Sequence, residues 1–182
     1  LPQSNGIVKE TLVEVRRLSD LQLVRTITDY VINRQNADGS YTFCQGAESN
    51  AQDTYYGLAI LSLLRANFPN VKKTLKFINC TPLDAIYSTY YVTKTSLLLQ
   101  KTAKARLKKR LISILNSKEY FGSTDFFSEV SSEFTTTFMV LELAHLLRLK
   151  VNTEEVTKGL LSFRNEDGGF GTEEQSNINS TY

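Results

Sequence analysis

Histidine, cysteine and clustered acids are the residues that bind metals and move protons, and this chain has few of them. It holds one histidine, His145, and two isolated cysteines, Cys44 and Cys80. Zinc needs several nitrogen, sulfur or oxygen ligands converging on one tetrahedron. Neither Asp-x-Cys nor Cys-x-x-Cys occurs here, so no metal and no cofactor is expected. His145 reads as a core or boundary side chain. A Cys–His nucleophile would require Cys44 or Cys80 beside His145, a proximity that spacing alone leaves open. Glu154-Glu155 and Glu173-Glu174 fall at a helix start and in a loop, where carboxylates are solvated. Asp53 stands alone before an apolar helix and reads as its N-cap ahead of a general acid. No phosphate-cradling glycine loop and no His-Glu-x-x-His helix occurs. No catalytic residue is assigned.

Two groups of side chains are instead candidates for binding. The aromatic helix openings Tyr55-Tyr56, Tyr90-Tyr91 and Phe138, with Asp53 at the mouth of the first, are expected to line an apolar groove. Lys101, Lys104, Arg106, Lys108, Lys109 and Arg110 put six bases in ten residues with no acid among them. Leu107, Leu111, Ile112 and Leu115 give the same helix an apolar side, so the bases belong to its outer face. A solvated helix is the ordinary reading of such a run. The sharper reading makes Lys104, Arg106, Lys108, Lys109 and Arg110 a contact for an acidic protein partner, a diphosphate or an anionic membrane surface. Nucleic acid is not expected, because the net charge is only +2 and no recognition motif accompanies the run.

These groups need a scaffold, and the composition supplies one. Across 182 residues, 41% are hydrophobic and 22% charged, enough apolar surface for a core and too little net charge for disorder. Two cysteines cannot staple the fold, so packing must hold it. No apolar run reaches the length of a membrane span. The N-terminus shows no signal peptide, so a cytoplasmic location is expected, and a start without Met suggests a piece of a longer chain. Asn79-Cys-Thr81 and Asn179-Ser-Thr181 match the glycosylation pattern, but chance suffices to explain them.

Helical signals dominate. Ser19-Asp-Leu-Gln22 has the form of a capping box, and Val24, Ile27 and Val31 follow on one stripe. That helix is predicted to end near Gln35, before the turn Asn36-Ala-Asp-Gly39. Further helices are predicted over Asp53–Ala66, from Thr81-Pro82 through Leu99, and over Ala103–Asn116, Phe134–Leu149 and Glu154–Arg164. Strand alternation is nowhere sustained, which makes the domain all-α.

The chain also repeats itself. Thr54-Tyr-Tyr-Gly-Leu-Ala-Ile-Leu-Ser-Leu-Leu64 aligns without a gap on Thr89–Leu99 and on Thr137–Leu147, and Thr181-Tyr182 opens a fourth copy. The four threonines lie 35, 48 and 44 residues apart, a period that marks stacked helix pairs. Two turns precede these helices with one pattern, Gln35-Asn-Ala-Asp-Gly-Ser-Tyr41 and Arg164-Asn-Glu-Asp-Gly-Gly-Phe170. Their glycines allow positive φ. Gln35 is expected to bond carbonyls at the preceding helix end, with Tyr41 and Phe170 folded back over it.

A helix ending in Gln-x-x-Asp-Gly-x-aromatic, then a loop, then Thr-Tyr opening an apolar helix, resembles the repeat of the prenyltransferase and squalene–hopene cyclase superfamily. Tyr30 to Tyr41 is similar to that superfamily's glutamine–tryptophan motif, with Tyr41 in place of Trp. The resemblance implies an α/α toroid whose inner helices line a deep apolar cavity. About three and a half hairpins can be counted, so residues 1–182 form a single all-α repeat domain with an incomplete ring. Further chain, a protein partner or self-association would then complete it.

The chemistry that the resemblance implies does not transfer. Protein prenyltransferases use zinc held by Asp, Cys and His, the last in a Tyr-His-Thr setting, whereas Asp53-Thr-Tyr-Tyr56 has no histidine. Terpene cyclases use Asp-x-Asp-Asp, which is absent here. Two function classes therefore stand open. One is a prenyltransferase-like repeat domain without its own catalytic centre, binding an apolar or isoprenoid ligand or a protein partner. The other is a fragment of an isoprenoid-handling enzyme, of protein prenyltransferase or terpene cyclase type, whose catalytic residues lie outside this chain.

Overall fold

The computed structural model describes residues 20–44, 47–100, 104–117 and 133–171. The Ser19 cap, Lys101, Glu173-Glu174 and the fourth opening at Thr181-Tyr182 lie outside them. Among the described residues there are seven helices and no strand longer than an isolated bridge. Residues 20–32 form α1. Then follow α2 (Ala51–Leu63), α3 (Val71–Cys80), α4 (Ile86–Gln100), α5 (Ala105–Ser117), α6 (Glu133–Leu146) and α7 (Thr153–Leu161). The chain divides into two compact units, Leu1–Cys80 and Thr81–Tyr182.

Three boundaries depart from expectation. The side chain of Asn50, not that of Asp53, caps α2: Asn50 Oδ1 accepts from the Asp53 amide at 2.7 Å, and the helix begins at Ala51. Helix α3 lies where no helix was predicted. Its Val71, Thr74, Leu75 and Ile78 have helical spacing, but three lysines among them mask the stripe. Thr81 and Pro82 do not open α4, which starts at Ile86; the intervening segment is held by Arg110, which donates to the carbonyls of Leu83 and Asp84 at 2.8 and 2.9 Å.

The two glycine turns superpose bond for bond. The Asn36 amide donates to Ser40 O and the Gly39 amide to Asn36 O; the Asn165 amide donates to Gly169 O and the Gly168 amide to Asn165 O. Asp38 Oδ1 accepts from the Ser40 amide and Asp167 Oδ1 from the Gly169 amide, each at 2.9 Å. Gly39 and Gly168 sit at φ +88° and +85°, the left-handed region that a Cβ disfavours. Helix ends repeat too. After α2 and after α6 the chain turns through a positive-φ arginine, Arg65 or Arg148, with a closing bond from Ala66 to Leu61 O or from Leu149 to Ala144 O.

The Gln35 expectation is corrected. Its amide donates to Gly39 O and Pro69 O, each at 3.1 Å, and its Oε1 accepts from Asn70 at 2.9 Å. Gln35 thus ties the turn to the loop before α3 rather than closing the end of α1. Tyr41 is bridged back to Gln35, just past the end of α1, and its ring lies on Gly57 of α2. Its amide donates to Thr54 Oγ1 at 3.0 Å, and that hydroxyl donates to Asn50 O at 2.6 Å. The threonine that opens the repeat therefore stitches turn to helix. Phe170, in the equivalent turn, packs edge-on against Phe134.

The helices alternate between two kinds. Helices α2, α4 and α6 are not divided into an apolar and a polar side, whereas α3, α5 and α7 are and bury one side only. In the second unit α4 packs on α6 and α5 lies against both. This is an inner layer backed by an outer helix, the arrangement of an α/α toroid wall. Leu107, Leu111 and Ile114 of α5 are fully buried, whereas Ile112, expected to share their side, faces solvent.

Candidate functional site

The inner helices of the second unit bring three polar side chains together among apolar residues and buried threonines. Lys94 of α4 and Glu142 of α6 form an ion pair at 2.6 Å, with side chains 18% and 26% exposed. The Tyr90 hydroxyl donates to the other carboxylate oxygen of Glu142, and Lys94 Nζ reaches the same hydroxyl at 3.3 Å while lying over the Tyr90 ring. Helical geometry explains half of this. Tyr90 and Lys94 are four residues apart, one turn along the same face.

The environment sets the protonation states. Burial pushes the Tyr90 phenol up to about 12, and its bond to Glu142 adds to that, with Lys94 opposing. Burial also raises Glu142, but the bonds from Lys94 and Tyr90 outweigh it and hold the carboxyl below its ordinary 4.5. The cluster at neutral pH is therefore ammonium, carboxylate and neutral phenol. The opposite charges of Lys94 and Glu142 offset each other, and the Tyr90 hydroxyl completes the cluster.

Neither Lys94 nor Glu142 belongs to a recognisable motif, yet the repeat carries their signal. Each stands five residues after the template threonine, Thr89 or Thr137, and the first copy has Ala59 there. Opposite charges at one register of two aligned helices become neighbours if those helices pack side by side.

The residues predicted to bind are placed as follows. Tyr90 and Tyr91 are buried, and Tyr91 meets the rings of Tyr87 and Tyr90 edge-on at 4.8 and 5.0 Å. Tyr56 and Phe138 are exposed, and Tyr55 is half-buried beside Tyr56. Asp53 Oδ2 accepts from the Phe43 amide at 2.6 Å and from Asn50 at 2.9 Å, which occupies it in holding the loop. On α5, Lys104, Arg106, Lys108 and Lys109 are exposed, whereas Arg110 is partly buried and holds the carbonyls before α4. His145 is exposed and lines an apolar cleft of about 420 Å³ with Leu141, Leu149, Val151, Val156 and Leu160.

The zinc that the resemblance implies does not fit this donor set. Among the described residues no three of His, Cys, Asp and Glu converge on one point, and Cys44 and Cys80 are separate, exposed thiols. Among the same residues no helix is long and apolar enough to cross a membrane.

Repeated turns, threonine-stitched helices and an inner layer backed by an outer one define a helical-repeat protein of the α/α-toroid class. The model of the prenyltransferase alpha-alpha toroid domain matches residues 7–81 and again 79–182, and the chain belongs to that family. The boundary between the matches falls where the two compact units divide. Neither the comparison with curated proteins nor that with solved structures gave a match.

Proposed function

We propose that this protein is a toroid domain that binds an apolar ligand, isoprenoid in class, on its inner helix α2 and carries no catalytic centre of its own. The observation that supports the reading is the stripe Tyr56, Ile60 and Leu63 on α2, which is 48%, 37% and 84% exposed on a helix whose other side is buried. Spacing of four and three residues puts the three on one face. Apolar side chains presented in a row on an inner helix are those of a wall that something apolar covers. The family supplies the ligand class.

The family match also favours a second reading, in which the domain is part of an isoprenoid-handling enzyme whose reacting groups lie elsewhere. One experiment addresses both. A fluorescent farnesyl diphosphate analogue is titrated into the full chain, and diphosphate release from farnesyl diphosphate is followed in parallel. Binding that weakens at least tenfold in Tyr56→Glu/Leu63→Glu, without diphosphate release, supports the proposal. Release by this chain alone would overturn the absence of a catalytic centre, and undiminished binding in the variant would overturn the site.

A further inference from the structure

We propose that the exposed face of α5 docks the protein onto an anionic lipid surface, with Lys104, Arg106, Lys108 and Lys109 meeting headgroups and Ile112 entering the interface. Three observations carry this. The first is segregation of charge. Residues 101–117 hold six of the chain's 21 bases and no acid, so the remaining fifteen bases and 19 acids leave the rest of the protein at −4. The positive field is therefore local, and it orients the molecule instead of making it generally adhesive.

The second observation is that these charges oppose the helix that bears them. Lys104 and Arg106 stand at the N-terminal end of α5, where the peptide dipoles favour anions, and the first turn has no acid. Helix α7 shows the ordinary solution, an Asn152 cap followed by Glu154 and Glu155 in its first turn. Solubility alone would be served equally well by glutamates. Helices α3 and α4 lack a first-turn acid as well, and of these three α3 and α5 place cations there.

The third observation concerns the kind of surface. Ile112 is 44% exposed, four residues after Lys108 and three after Lys109, so an apolar side chain stands between two cations on the outward face. Lysine predominates there, and lysine is a hydrated point charge suited to the diffuse charge of headgroups rather than to bidentate readout of single carboxylates. Leu107, Leu111 and Ile114 are buried in the protein, so the helix lies on the membrane through its basic side and does not insert. Helix α3 repeats the composition in the other unit, with Lys72, Lys73 and Lys76 exposed and no acid in Val71–Cys80.

The test is co-sedimentation of the full chain with phosphatidylcholine vesicles, with and without about 30 mol% phosphatidylserine, a composition that sets a strongly negative surface. Binding is expected only with phosphatidylserine, and raising salt to about 0.5 M should reduce it at least tenfold as the surface charge is screened. Each base near such a surface is worth about fivefold in partitioning. Lys108→Glu/Lys109→Glu should therefore lose at least tenfold, with Lys108→Gln/Lys109→Gln as the milder pair should the reversal disturb folding. Ile112→Ser should weaken binding severalfold at both salt concentrations. Equal binding to both vesicle types, or binding unchanged in both lysine pairs, overturns the proposal. So does capture by a poly-glutamate peptide or RNA without capture by phosphatidylserine vesicles.

Discussion

The ring of Tyr41 rests on the Cα of Gly57, so closely that a Cβ there would lie 2.9 Å from its Cγ and Cδ1. Those atoms are fixed by the backbone of the turn, and Tyr41 is only 1% exposed, so neither partner has room to move. Gly57→Ala should therefore destabilise the protein despite the gain of about 1 kcal/mol in helix propensity. Overpacking costs about 1–3 kcal/mol, so a net loss of up to about 2 kcal/mol is expected. Chemical denaturation checks it, and a raised midpoint would contradict the contact.

The two turn glycines should respond differently to the same substitution. Gly39 and Gly168 share a positive φ, and alanine at either meets the left-handed strain of about 1–2 kcal/mol. At Gly39 a Cβ would also fall 2.5 Å from Lys73 Cβ and from the Thr74 amide nitrogen, which forces α3 away, whereas at Gly168 nothing lies within 4 Å. Gly39→Ala should thus cost at least about 1 kcal/mol more than Gly168→Ala. Equal melting temperatures for the two variants would show that α3 does not press on the turn.

Arg65 and Arg148 hold φ of 55° and 54° at the ends of α2 and α6, where glycine is the unstrained residue. Both are exposed. Arg65→Gly and Arg148→Gly should each raise stability by about 0.5–1 kcal/mol, less whatever the more flexible unfolded chain takes back. A clear loss on urea denaturation would mean that the arginine side chains contribute more than the backbone strain removes.

How far these relationships were legible varies with their range. The threonines at 54, 89 and 137 announced the repeat by their fixed spacing, and at Thr54 the reason is local, since its Oγ1 stitches the turn to α2. The glycine turns were legible for the same reason. Helix α3 was missed because its apolar positions are diluted by Lys72, Lys73 and Lys76, and because the Thr81-Pro82 cap drew the helix start too far along. The hollow that Gly57 leaves for the Tyr41 ring is not visible in the local sequence of either residue. The Lys94–Glu142 pair spans 48 residues. Only the packing of α4 on α6, a tertiary fact, turns equal register into contact.

That pair gives a prediction in two directions of pH. The folded pKa of Glu142 lies below its unfolded 4.5, so its contribution is fully present above pH 4.5 and is lost as pH falls through the lower folded value. Tyr90 works from the other side. Its folded pKa of about 12 exceeds the unfolded 10, so its contribution is complete below pH 10 and is lost as pH rises towards 12. Glu142→Gln should flatten the acid limb of stability, leaving the part due to Asp38, which the hydroxyls and amide of Ser40 and Ser49 hold low against burial. Phenolate absorbance gives the alkaline test. Tyr90 should titrate lower in Glu142→Gln but still above 10, because burial is its larger cause, while Tyr41, raised to about 12 by burial alone, should not move. A double-mutant cycle completes the case. Glu142→Leu strands a partly buried ammonium and, discounted for solvent screening, should cost about 1–2 kcal/mol, whereas Lys94→Met/Glu142→Leu should recover most of it. If the double variant were as unstable as the sum of the singles, the two charges would not be acting on each other.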